Sequence, residues 1–243
     1  SSAAGPVILF GIDGGTWRVI EPAIAAGRLP TLARLCAQGC SATLLSTWSY
    51  CSASAWASVI TGLDIPGHGI WNFVSRVPGQ YAFETVSSRS MDGEPFWRHL
   101  DARGLRSAIL NIPILYPVIP NNGIQLAGWL APSVRSPGYA HPPELASELL
   151  KRFGSLSLLP DVKRFVLDRN YEAAVQNLRQ SCEQWERVFE YLFAMERWDL
   201  FAAVFTPTDA AHHWLWHLYD SKHPDHDPRG AAYAEALVEA YEV

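Results

Sequence analysis

The stretch that most constrains this chain is Val7–Ile12, five apolar residues and a glycine running straight into Asp13-Gly14-Gly15. An uninterrupted apolar run has no polar face, so a strand made from it reads as covered on both sides, like a central strand of a parallel sheet. The Asp-Gly-Gly that follows is loop chemistry. Ser107–Ile112 and Asp199–Phe205 repeat the pattern, and Ala42–Thr47 reads as a further strand. Helical periodicity fills the intervals: Thr16–Ala26 and Pro30–Gln38, closed by Gly27 and Gly39, then Ser54–Ile60, Glu94–Ala102, Tyr171–Arg197 and a helix starting near Thr208. The tail Gly230–Val243 is helical in pattern. Alternating strands and helices predict an α/β fold, a mostly parallel sheet with helices on both faces.

Composition shifts between Pro113 and Pro143, where seven prolines and Asn121-Asn122-Gly123 make a loop-rich excursion with a short strand at Gln125–Trp129. Excursions from strand ends commonly shape a pocket. The organisation is therefore read as residues 1–112, the first part of an α/β catalytic core, 113–170, a cap or insertion, and 171–243, the continuation of the core.

A net charge of −5 leaves no basic footprint for nucleic acid. No apolar stretch approaches the roughly 20 residues that cross a bilayer. Four cysteines, Cys36, Cys40, Cys51 and Cys182, lack metal spacing and read as thiols of a reducing compartment, so a cytoplasmic location is expected. The oligomeric state stays open.

Three places carry chemistry. Asp13 falls just past the end of a strand, where open α/β sheets place ligands; read alone it is as much a turn former with Gly14 and Gly15, and no Gly-x-Gly-x-x-Gly supports a dinucleotide. Ser52, between a strand and a helix, would set its hydroxyl among unpaired N–H groups at a helix start, a place for phosphate or simply an N-cap. Ser54 is its rival. No Gly-x-Ser-x-Gly elbow is present, so a nucleophilic serine here requires help from a metal. Asp209 and His213, one turn apart on one helix face, suit a zinc-type ion. His217 continues that stripe, but from 209 to 217 the helix rises about 12 Å, too far for one ion. His212 points elsewhere, His68 reads as a turn residue near Ser52, and Asn72 is placed to donate to a substrate oxygen.

Together these segments resemble the alkaline phosphatase superfamily, and within it the type I phosphodiesterase/nucleotide pyrophosphatase branch. The matching stretches are Phe10-Gly-Ile-Asp13-Gly, Gly27-Arg-Leu-Pro-Thr-Leu-Ala-Arg-Leu, Ser52 through Thr61-Gly62 to Pro66-Gly-His68-Gly-Ile, Asn111-Ile-Pro113 with Tyr116-Pro117, Tyr139–Leu145, and Thr208-Asp209 to His213. The resemblance implies an alkaline phosphatase-like core holding two divalent metal ions, zinc with manganese as alternative. Asp13 and Ser52 would bind one ion, and Asp209 and His213 the other. Ser52 would attack phosphorus and form a phospho-enzyme that water releases. The substrate implied is a small-molecule phosphate ester, with diesters or pyrophosphates favoured. The family completes its site with an Asp-His pair on a later strand and a further His. No strand pattern after residue 213 carries such a pair, and His223-Pro-Asp-His-Asp-Pro reads as a solvated loop, so the core is expected to be incomplete at its C-terminus. The position matching the family's oxyanion asparagine is Phe73, one place after Asn72. A phosphotransferase or mutase on the same scaffold, or a catalytically degenerate binding module, are the alternatives.

Overall fold

The computed structural model describes residues 5–242. They form two compact units, one made of the chain up to Gly11, Leu45–Leu158 and Val188–Val204, the other of Ile12–Leu44, Leu159–Arg187 and the chain from Phe205 onward. In chain order the elements are β1 (Val7–Ile12), α1 (Trp17–Ala25), α2 (Pro30–Gln38), α3 (Ser52–Thr61), α4 (Ile65–His68), β2 (Val74–Arg76), β3 (Phe83–Thr85), α5 (Arg98–Asp101), β4 (Ser107–Ile112), β5 (Gly123–Ala127), β6 (Ala140–His141), α6 (Glu144–Phe153), α7 (Val162–Leu167), α8 (Tyr171–Ala194), β7 (Leu200–Phe205), α9 (Pro207–Tyr219) and α10 (Ala236–Glu239), with 3₁₀ turns at Ser88–Ser90 and Pro228–Tyr233.

The first unit carries a five-stranded sheet in the order β1-β7-β4-β5-β6. β4 runs parallel to both β7 and β5, and only the two-residue β6 is antiparallel. β1 is parallel to β7, because Val7 N–H donates to Asp199 O and Asp13 N–H to Phe205 O, both at 3.0 Å. This is the mostly parallel α/β sheet expected. Alternation sorts the strand side chains onto two faces. On one, Ile109 of β4 and Leu200, Ala202 and Val204 of β7 join Ala53, Ala57 and Ile60 of α3 and the fully buried Trp97. On the other, Phe201 meets Phe193 edge-on at 5.1 Å, and Phe10 meets Phe189 at 6.3 Å, both partners lying at the end of α8. Fully burying a large apolar side chain such as Ile60 or Ile109 contributes about 1.5–3 kcal/mol relative to exposure. Helices thus cover both faces within this unit.

At Gly11 the sheet and α3 come so close that a Cβ would lie 2.4 Å from the Trp56 ring. At the end of β4 the ladder shifts register between Leu110 and Ile112, and Asn111 takes a left-handed φ of 59° while its Nδ2 donates to Val204 O at 2.9 Å. Asparagine tolerates that conformation better than other side-chain-bearing residues.

In the second unit α10 packs on α9 and α1, and α7 packs on α9. The residues buried there include Val19, Ile20, Val175, Leu178, Leu215 and Leu237. Arg28 pairs with Glu235 and Glu242, and Arg179 forks onto Glu239, so the C-terminal segment is tied down by charge as well as packing.

Four elements depart from the sequence reading. β1 is a strand, but an edge one: Val7, Ile8, Leu9 and Phe10 are 42–58% exposed. Ala42–Thr47 forms no strand, and Leu44 and Leu45 stand exposed, because β-rich composition needs a pairing neighbour to become a strand. Glu94–Ala102 shrinks to the single turn of α5, since Phe96 N–H is drawn to Ile60 O and Trp97 Nε1 to Ile119 O. The tail forms a 3₁₀ turn and the four-residue α10 rather than one helix; Val243 lies outside the described residues.

Two outcomes follow from this packing. Gly11→Ala should destabilise the protein by about 1–3 kcal/mol in urea unfolding, and the same change in a Trp56→Leu background should cost clearly less. Second, His68 is fully buried, its Nδ1 accepting from Ile70 N–H at 3.1 Å and its Nε2 meeting Ser58 Oγ at 3.0 Å. Burial lowers its pKa from the usual 6.5, against a weaker upward pull from Asp64. The unfolded chain therefore binds a proton that the fold refuses, and stability falls as pH drops through about 6.5 toward the folded value. Unfolding curves at pH 7.5 and 5.5 should show a smaller pH loss in His68→Gln than in the wild type.

Candidate functional site

The second unit positions Asp13, Asp209 and His213. β1 delivers Asp13 to the start of a turn, where its N–H is held by Phe205 O at 3.0 Å and its carbonyl accepts from Thr208 Oγ1 at 2.7 Å. Thr208 is fully buried and Asp13 only 6% exposed. Gly14 sits at φ +72° against the first turn of α9, where a Cβ would come within 2.9 Å of Asp209 Cα. A side chain at 14 would be strained twice, in backbone conformation and in space. So the turn after β1 and the start of α9 are fastened together by two hydrogen bonds and a close contact.

Asp209 lies in the first turn of α9, where the helix dipole favours a carboxylate. His213 follows at i+4, with Nε2 3.5 Å from Asp209 Oδ1. Burial pushes the Asp209 carboxyl above its ordinary range, and His213 pulls it back only in part. A half-buried carboxylate of that kind gains from a cation beside it.

The neighbouring histidines have other employment. His212 is hydrogen-bonded to Tyr241 Oη at 2.6 Å and stacks on Trp216. Burial pushes its pKa down to about 4, with His213 adding to the shift, and burial drives that of Tyr241 up to about 12. His217 packs near Tyr171 and His223, burial being the main cause of its lowered pKa. Asp225-His226 lies in the turn after α9, with the His226 ring on His217 O at 2.9 Å.

The first unit positions Ser52 and Asn72. Ser52 is the first residue of α3, and the residue before it, Cys51, supplies no side-chain cap. Ser54 is excluded as the reactive hydroxyl: it is fully buried, and its Oγ donates to the carbonyls of Ser49 and Cys51, both at 3.0 Å. Asn72 is exposed beside Cys51, its Oδ1 accepting from Phe73 N–H at 2.7 Å and from Cys51 Sγ at 3.7 Å. With the oxygen engaged, the amide nitrogen is the end available to donate. His68 belongs to this unit too, but as the buried partner of Ser58.

Among the described residues no group of three or more His, Cys, Asp or Glu side chains is arranged to hold a metal ion. Asp209 and His213 bring a carboxylate and an imidazole within 3.5 Å of each other. In the sequence Thr208 stands out only as a helix start and in a matching stretch, with no role at the site. Its signal was faint, a hydroxyl beside a candidate ligand, and only the fold shows that it holds the carbonyl of another.

The family model of type I phosphodiesterase / nucleotide pyrophosphatase matches residues 7–240, and the chain belongs to that family. No functionally curated protein matches the chain in sequence. Among solved structures, phosphonoacetate hydrolase from Sinorhizobium meliloti 1021 in complex with phosphonoacetate matches at TM-score 0.57 and 18% identity, over 98% of this chain and 52% of that one. The same enzyme with phosphonoformate matches at TM-score 0.54 and 17% identity, with the same coverage. The chain therefore spans about half the length of these neighbours, and the likeness is one of fold.

Thr208→Val removes the hydroxyl that donates to the Asp13 carbonyl and should cost about 1–3 kcal/mol. Thr208→Ser should recover most of that loss. Chemical denaturation of the three proteins checks both.

Proposed function

We propose that this chain contributes the first part of the active site of a metal-dependent phosphoric-ester hydrolase, acting on small phosphodiesters or pyrophosphates. The observation that carries the proposal is the fastening of Asp13 to the start of α9, which brings two carboxylate-bearing segments 196 residues apart in the chain to one place in the second unit. Family membership supports the reaction class.

Asp13 and Ser52 would hold one divalent ion and Asp209 and His213 the other, zinc being favoured and manganese the alternative. Bound there, such ions would polarise the phosphoryl oxygens and lower the pKa of the attacking hydroxyl. Ser52 Oγ would attack phosphorus in line, losing its proton as the O–P bond forms and the bond to the leaving oxygen breaks. Water would then cleave the seryl phosphate and restore the hydroxyl. The start of α3, which receives no side-chain cap from Cys51, would set its helix dipole toward the phosphate's negative charge, and the Asn72 amide would donate to a non-bridging oxygen. Residues 113–170 would form the wall that selects the leaving group. The donor pair Asp209–His213, without a third partner among the described residues, favours one second reading, a binding module without turnover.

The protein encoded by the whole gene, supplied with Zn²⁺ or Mn²⁺, should release nitrophenolate from bis-p-nitrophenyl phosphate. Ser52→Ala should lower the rate by about three orders of magnitude or more, and Asp209→Asn should weaken metal reactivation after chelator treatment. Equal rates for wild type and Ser52→Ala would leave the binding module as the surviving reading. Phosphate appearing on an added alcohol instead of in solution would identify a transferase.

A further inference from the structure

The residue before Ser52 occupies the N-cap of α3 without capping it. Cys51 has extended backbone there, φ −135° and ψ 130°, and its side chain supplies no cap hydrogen bond. An N-cap ordinarily carries Ser, Thr, Asp or Asn, whose oxygen accepts from the first turn. The Cys51 thiol instead turns to Asn72, with Sγ 3.7 Å from Oδ1, and the Phe73 N–H donates to the same oxygen at 2.7 Å. Asn72 is exposed, and an exposed amide held by nothing turns freely in water. Here two donors converge on its oxygen, and the nitrogen end of an amide only donates, so it cannot take the oxygen's place. Both donors are anchored. The Phe73 carbonyl accepts from Val86 N–H at 2.9 Å, and the Phe73 ring lies 5.0 Å from that of Trp129. Cys51 N–H donates to Ser49 O at 2.7 Å and Ser49 Oγ donates to Trp71 O at 3.1 Å, so the turn before α3 is tied to the segment that carries Asn72.

We propose that Cys51 is a positioning residue: its thiol, together with the Phe73 N–H, holds the Asn72 oxygen so that the amide nitrogen is presented to a phosphoryl oxygen of the substrate. The proposal rests on the hydrolase reading above and adds to it the group that orients the donor. A hydrogen-bond donor aimed at developing negative charge is effective when it is oriented in advance. A rotating amide would present its oxygen as readily as its nitrogen, and that oxygen would repel a phosphoryl oxygen. The thiol suits its place at the start of α3. A carboxylate there would accept from the helix's own N–H groups and have no proton to give, whereas a thiol is a weak acceptor with a proton to donate. The side chain at 51 therefore serves Asn72 in place of the helix.

The test uses the protein encoded by the whole gene, supplied with Zn²⁺. Cys51→Val suits the extended backbone and removes the donor, and Cys51→Ser keeps a donor. With bis-p-nitrophenyl phosphate as substrate, Cys51→Val should lower kcat about tenfold while KM stays within about twofold. Cys51→Ser should recover most of that loss, and in an Asn72→Ala background Cys51→Val should have no further effect. A wild-type kcat in Cys51→Val, or a loss just as large in the Asn72→Ala background, would overturn the proposal. Hydrogen exchange reads the same contact without turnover. The Phe73 amide, whose acceptor Cys51 steadies, should exchange about tenfold faster in Cys51→Val while the amides of Ala57 and Ile60 in α3 keep their rates. If wild type and Ser52→Ala hydrolyse equally, the hydrolase reading fails and the Phe73 amide alone decides: faster exchange upholds the orientation of Asn72 by Cys51, and unchanged exchange overturns it.

Discussion

The candidate site depends on the hold that residues 205–208 have on Asp13. Two hydrogen bonds, one to each side of the Asp13 peptide, fix the turn after β1 onto the turn before α9. Gly14 permits the close approach, since any side chain there would strike the Asp209 backbone. Both bonds are buried, and a buried polar group that loses its partner is costly, so the arrangement has no cheap alternative. The carboxylates at 13 and 209 are thereby placed by backbone rather than by flexible side-chain reach.

The placement also explains the electrostatics. α9 begins at Pro207, so Asp209 occupies its first turn, where the helix dipole welcomes negative charge, yet burial penalises the same charge. His213 offsets only part of that penalty. Beside them His212 is kept neutral by burial against Tyr241 and Trp216. One helix therefore presents two adjacent histidines with opposite tasks, one exposed beside a carboxylate and one half-buried as a packing element.

Much of this was legible in the chain. The strands Ser107–Ile112 and Leu200–Phe205 match their apolar patterns closely, because these residues are buried in the way the patterns require, and the helix Pro30–Gln38 keeps its expected bounds although none of its residues is buried. The same reasoning misplaced β1, whose residues have the composition of a central strand and the position of an edge. It also assigned a strand to Ala42–Thr47 and a full helix to Glu94–Ala102. In both, local preference was outweighed by the partners available, none for the first, and Ile60 O and Ile119 O for the second. Within the site, the contact of Asp209 with His213 follows from helical spacing. That Ser54 is spent on backbone carbonyls, leaving Ser52 as the candidate hydroxyl, does not.

By itself the sequence determined the α/β class, the strand-end positions of Asp13 and Asp209 and the family, because apolar period and turn residues are local properties written in consecutive positions. Tertiary structure alone decided which strand lies at the open edge, which serine is buried, and that Thr208 holds the Asp13 carbonyl. Those outcomes depend on hydrogen bonds and contacts between residues up to 195 positions apart, and no local pattern encodes them.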